Sequence, residues 1–185
     1  MSEKETESKP LKKIELKLIA ELMKNCRRSD RQLAKALGIS QPTVGRLLSK
    51  MRKLGLIREY VALPDFEKLG YRIMALTFMK LQSALKPEDL EKARKTAKED
   101  IKSGPLGVIM CERGIGLGFH GVVISYHTDY SSYREVLQWL KNYDFLDLAS
   151  IESFLIDLED KVHYRSLTFQ TLAQHIMKLR EEGKP

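Results

Sequence analysis

Thr43, Arg46, Lys50 and Lys53 recur at intervals of three and four residues, which sets them along one side of a helix. Val44, Leu47, Leu48, Met51 and Leu54 fall on the opposite side and supply an apolar stripe. Guanidinium and ammonium groups beside a hydroxyl, on a short helix whose other face is buried, suit the phosphates and base edges of a DNA major groove. The residues just before this helix fix where it starts. Ser29 and Gln32 stand in capping-box register, and Leu33, Ala34 and Leu37 give a first short helix its apolar face. Gly38 supplies a turn, Ser40 a cap, and Pro42 fits a first helical turn because the donors there are unpaired anyway. Residues 29–61 therefore read as a helix-turn-helix running into a strand.

Other residues have the right types for chemistry but the wrong spacing. Gly116 to Gly121 matches G-x-G-x-x-G, which a dinucleotide site needs between a strand and a helix. Here Val122, Val123 and Ile124 follow, a run that continues as strand, so the glycines read as a β-hairpin. Cys111, His120, His127 and His163 are metal-ligating types, yet their spacing matches no established site. Ser125, His127 and Asp129 are the types of a hydrolytic triad, but nearness in sequence does not make triad geometry. Asp129 or Thr128 is more simply the cap of the next helix. Asp157, Glu159 and Asp160 read as a solvated acidic loop. No catalytic residue, metal or cofactor is expected.

These groups need a scaffold. Ile14, Leu18 and Leu22 predict a helix over 11–25 that closes a three-helix core with the motif. Leu56 to Leu63 reads as a strand, giving a winged variant, and Pro64-Asp65 breaks it. Beyond Tyr71 the pattern changes. Strands are predicted at 72–81, 108–111, 121–126 and 151–158, with helices at 87–101 and 130–142 and a final helix near 171–180. The order β-α-β-β-α-β is the split arrangement of a ferredoxin-like fold. The fold class is thus α+β. A disordered tail is expected at 1–10, a helix-turn-helix domain at 11–63, a linker at 64–70 and a ferredoxin-like domain at 71–170. A C-terminal helix and tail complete the chain at 171–185.

Charge supports the same division. The net charge is +7, yet residues 1–60 hold 15 Lys and Arg against 7 Asp and Glu, while the remainder holds 17 against 18. Basicity confined to the first third points to a polyanion there, not to a generally basic surface. The 43% hydrophobic content suffices for a core, and no apolar run reaches membrane-spanning length, so no membrane partner is expected. A polar, charged N-terminus argues against a secretory signal, and two distant cysteines define no disulfide framework. A reducing cytoplasm is the expected location.

The run LAKALGISQPTVGRLLSKMRKLGLI followed by LPDFEKLGY resembles the motif and hinge of the Lrp/AsnC family of prokaryotic transcription regulators. The glycine-rich hairpin and the SYHTDYSSY run look most like archaeal members. The resemblance spans about residues 11–170. It implies a recognition helix from Gln41 to Leu54, with Gln41, Thr43, Arg46 and Lys50 facing bases or phosphates. Arg31, Lys53 and Arg58 would be phosphate contacts that position the domain without reading sequence. Arg46 donating two hydrogen bonds to a guanine edge would supply about 1–3 kcal/mol of discrimination. The family often has a small polar residue where this chain has Gly45. The resemblance also implies double-stranded DNA as partner, homodimers or higher oligomers, and a small-molecule effector such as an amino acid near the hairpin. Arg113, Gly118, His120 and Gly121 are the corresponding candidates, in place of the acidic residue most members carry. Some tetrapyrrole decarboxylases share this architecture, but the intact basic helix and the lack of a histidine-rich cluster near the hairpin argue against that activity. A protein coating DNA with little sequence choice is the remaining alternative.

Overall fold

The computed structural model describes residues 11–82, 86–100, 103–162 and 164–181. The expected tail at 1–10, the helix end at Ile101, His163 and the last four residues lie outside them. The chain forms two units, residues 1–63 with 164–185, and residues 64–163.

The first unit is built on three helices, α1 (Lys13–Lys24), α2 (Asp30–Leu37) and α3 (Gln41–Lys53). Ser29 opens α2 as a capping box. Its hydroxyl accepts from the Gln32 N–H at 3.3 Å, and its own N–H donates to Gln32 Oε1 at 2.8 Å. Gly38 closes α2 at φ 67°, a left-handed conformation that a residue without Cβ adopts at no steric cost. Leu18 of α1, Leu33 and Ala34 of α2, and Val44 and Met51 of α3 form the buried core, with Leu22, Leu37, Leu47, Leu48 and Ile57 around it. The predicted stripes of the three helices meet here except at Leu54, which follows the end of α3 and is exposed.

One further feature differs from expectation in this unit. The strand predicted over Leu56 to Leu63 is not formed; residues 57–65 are irregular and pair with no other described segment. A strand needs a neighbour for its N–H and C=O groups, and β-forming residues alone do not provide one. Val61 and Leu63 are exposed accordingly. The last helix forms where predicted, as α6 (Gln170–Glu181), and packs against α1. Ala173 of α6 and Ala20 of α1 are both buried, and such small residues suit close helix approach.

The second unit is a four-stranded antiparallel sheet in the order β2-β3-β1-β4, from β1 (Ile73–Met79), β2 (Val108–Gly116), β3 (Phe119–His127) and β4 (Glu152–Asp157). With α4 (Pro87–Asp100) and α5 (Tyr130–Leu140) between strands, this is the expected ferredoxin-like order. Asp129 caps α5, its carboxylate accepting from the Ser132 N–H at 2.8 Å. Met79, Val123, Val136, Leu140, Tyr143 and Leu146 form the core on the helix side of the sheet. The strands flanking the glycine-rich segment are longer than predicted, and only Leu117 and Gly118 remain as the turn. Both have positive φ, 52° and 80°, as a two-residue hairpin matching the sheet twist requires. The linker belongs to this unit: Phe66 stacks on Tyr126 at 4.0 Å between ring centres.

Candidate nucleic-acid interface

The N-terminal half of α3 carries a chain of polar contacts on its outer side. Ser40 and Thr43 join hydroxyls at 2.8 Å, and the Arg46 guanidinium donates to Thr43 Oγ1 at 3.4 Å. Ser40 thus spends its hydroxyl on Thr43 instead of capping the backbone of α3, as the sequence reading expected. Gln41 and Arg46 are exposed, so the N-terminal end of α3 presents an amide, a hydroxyl and a guanidinium together. Arg31 on α2, Lys53 at the end of α3 and Arg58 beyond it are also exposed and form no ion pair among the described residues.

Lys50 has a different situation. Its ammonium pairs with the carboxylate of Glu15, which is only 2% exposed, while half of the Lys50 side chain remains in solvent. The second Glu15 oxygen accepts from the Lys12 N–H at 2.8 Å, closing the first turn of α1. The Lys50 contact, then the Lys12 N–H, hold the Glu15 carboxyl below its ordinary range against the opposing effect of burial. Glu15 therefore ties α1 to α3. Its sequence context gave no sign of this, since an acidic residue in a first turn is ordinary. Arg52 lies over the Tyr60 ring at 5.1 Å, a cation–π contact that sequence spacing did not indicate either.

Gly45 sits in regular helix, and a Cβ placed there would meet only Asp30 Oδ2, at an ordinary 3.7 Å. Neither packing nor backbone strain requires glycine at this position.

In the second unit Arg113, His120 and Gly121 line one cavity of about 430 Å³ between α4, α5 and the sheet; Gly118 is apart from it, in the hairpin turn. His120 Nδ1 accepts from the Leu81 N–H at 3.1 Å, which leaves the ring proton on Nε2. Burial pushes the Cys111 thiol up, and burial with the neighbouring Asp100 carboxylate pushes the Tyr143 hydroxyl up to about 12. Both groups therefore stay protonated at neutral pH. Ser125 Oγ and His127 Nε2 are 2.8 Å apart, but both residues are buried and Asp129 is committed to capping α5. That pair closes core polar groups on each other, where no substrate reaches. No group of three metal-ligating side chains occurs among the described residues.

A helix-turn-helix unit joined to a ferredoxin-like unit defines the class. Residues 11–58 match the family described as winged helix-turn-helix DNA-binding. The chain is 37% identical over 98 residues to the HTH-type transcriptional regulator PF2053 of Pyrococcus furiosus, a match covering 52% of this chain and 64% of that protein. It is 33% identical over 72 residues to the regulator PYRAB00690 of Pyrococcus abyssi, covering 39% and 48%. The chain thus spans less than two thirds of the length of these curated relatives. PH0061 of Pyrococcus horikoshii has a similar fold, with TM-score 0.67 and 24% identity over 86% of this chain and 99% of that one. AsnC of E. coli gives 0.63 and 20% over 86% and 99%. NMB0573 of Neisseria meningitidis, solved with L-Met, gives 0.66 and 21% over 88% and 99%. The chain shares the fold of these solved AsnC-type regulators.

Proposed function

We propose that this protein is a sequence-specific, DNA-binding transcription regulator that acts as a homodimer or higher oligomer in the cytoplasm. The observation that carries the reading is the outer side of α3, where Gln41, Thr43 and Arg46 stand together over a helix whose other face buries Val44 and Met51. Arg46 and Gln41 are the base readers, and Arg31, Lys53 and Arg58 hold phosphates. Lys50 reaches phosphate with the same ammonium that pairs with Glu15, so it contributes less than its charge alone suggests.

Pairing has its own physical motive. One short helix reads few base pairs, whereas two on a twofold axis read a spaced palindrome. The sheet face away from α5 carries Leu76, Ile124 and Phe154 in register, and Phe154 is 64% exposed. An apolar stripe of this kind suits a self-complementary twofold contact. A small-molecule effector acts by favouring one assembly over another; the amino acid held by the Neisseria relative supports that kind of ligand.

The test begins by selecting bound fragments from genomic DNA and then compares variants on the selected site and on random duplex. Arg46→Ala is expected to weaken the selected site about tenfold or more and random DNA far less. Lys53→Ala is expected to weaken both alike and to lower the salt slope by about one. Equal losses for Arg46→Ala on both duplexes would remove it as a base reader. Equal affinity of the wild-type protein for both would favour a coating role instead.

A further inference from the structure

The cavity beneath α4 is apolar inside and cationic at its mouth. Leu90, Ala93 and Ala97 of α4 form one wall, and Met79, Leu140 and Tyr143 face them. At about 430 Å³ it has the size of a small-ligand pocket, roughly 300–1,000 Å³. Arg94 and Lys98 on α4 and Arg113 on β2 are exposed at the opening, with Glu112 the single carboxylate among the described lining residues. Arg94 is already paired with Glu91, whereas Lys98 and Arg113 form no ion pair among the described residues. Gly121 opens the sheet side. A Cβ there would come within 3.2 Å of Met79 Cε and narrow the space.

We propose that this cavity binds a monocarboxylate with an apolar chain, the tail lying among Leu90, Ala93 and Leu140 and the carboxylate held at the mouth by Arg113 and Lys98. The charge balance selects this class. Two free cations at the mouth attract an anion. Among the described lining residues the one carboxylate, Glu112, is exposed, so a zwitterionic amino acid seated inside would leave its amine unpaired at a cost. The proposal rests on the reading of Arg113, His120 and Gly121 as effector contacts. It moves the ligand inside one subunit and changes its chemical class.

Trp139 lines the cavity and is the sole tryptophan of the chain, so its emission reports occupancy without a label. Octanoate is titrated into the full-length protein alongside 1-octanol, octylamine, leucine and methionine. Octanoate is expected to shift Trp139 emission saturably and to bind at least tenfold more tightly than the other four. Ala93→Phe, which fills the cavity, is expected to abolish the response, and Arg113→Gln at the exposed mouth to weaken it about tenfold. Circular dichroism checks that each variant folds; if Ala93→Phe does not, Arg113→Gln decides. No saturable response at millimolar octanoate, equal binding of octylamine or octanol, or an unchanged affinity in Arg113→Gln would overturn the assignment.

Affinity for the selected DNA, measured with and without each compound, separates the two readings. Octanoate that binds in the cavity without altering DNA affinity removes the effector reading and leaves the site standing. Methionine that alters DNA affinity where octanoate does not bind leaves the effector reading and removes the site.

Discussion

Gly45→Ala is expected to stabilise the first unit and to weaken its hold on DNA. Gly45 has an ordinary helical backbone in the middle of α3, where glycine costs about 1 kcal/mol relative to alanine through the entropy lost on folding. The added methyl meets one atom, Asp30 Oδ2, at 3.7 Å, so no packing penalty offsets the gain. For a unit of this size, about 1 kcal/mol raises the midpoint by roughly 4–8 °C. Scanning calorimetry of the full chain measures that shift. Folding thus gives no reason for glycine between Val44 and Arg46, whereas close passage of a phosphate backbone does. A gel-shift titration on the selected site is expected to show several-fold weaker binding for the more stable variant. An unchanged or lower midpoint would refute the stability reasoning, and unchanged affinity would refute the close approach.

Glu15→Gln keeps an acceptor for the Lys12 N–H but gives up the ion pair with Lys50. It is expected to cost the first unit about 1 kcal/mol in urea unfolding at neutral pH. The folded-state carboxyl of Glu15 lies below 4.5, so its contribution is complete above that pH and is lost as pH falls through the folded value. The wild-type advantage over Glu15→Gln is therefore expected to shrink on acidification below about pH 4.5, a trend that unfolding curves at several pH values would check. Ala173→Asp places a charge at the fully buried point of α6. Loss of α6 docking is expected to lower the melting midpoint of the first unit and leave that of the second unchanged.

Local signals were legible where sequence neighbours settle the structure. The capping box of Ser29 and Gln32, the left-handed Gly38 and the Asp129 cap each depend on contacts within four residues, and all three form. The hairpin was legible because β-branched residues follow the last glycine. Its length was not, since Glu112, Arg113 and Gly116 join β2 through pairing with β3 and not through propensity. Leu56 to Leu63 marks the opposite failure. Its composition fits a strand, but a ladder partner is a property of the assembled molecule, and none is present among the described residues.

The candidate sites divide along the same line. Arg46 and Gln41 could be placed from helical period alone, because exposure on a helix follows from the buried stripe opposite. That Lys50 answers to Glu15, 35 residues earlier, follows only from how α1 crosses α3. The cavity is a still longer-range product: Leu90, Arg113, His120 and Trp139 share it because α4 and α5 cover one face of a sheet whose strands are far apart in sequence. The final helix shows why a boundary at residue 63 is incomplete. The chain leaves the first unit there, builds a whole sheet, and returns at Tyr164 to lay α6 on α1. A fragment ending at Leu63 would expose the α1 surface that Ala173 covers, so the first unit is complete only with α6.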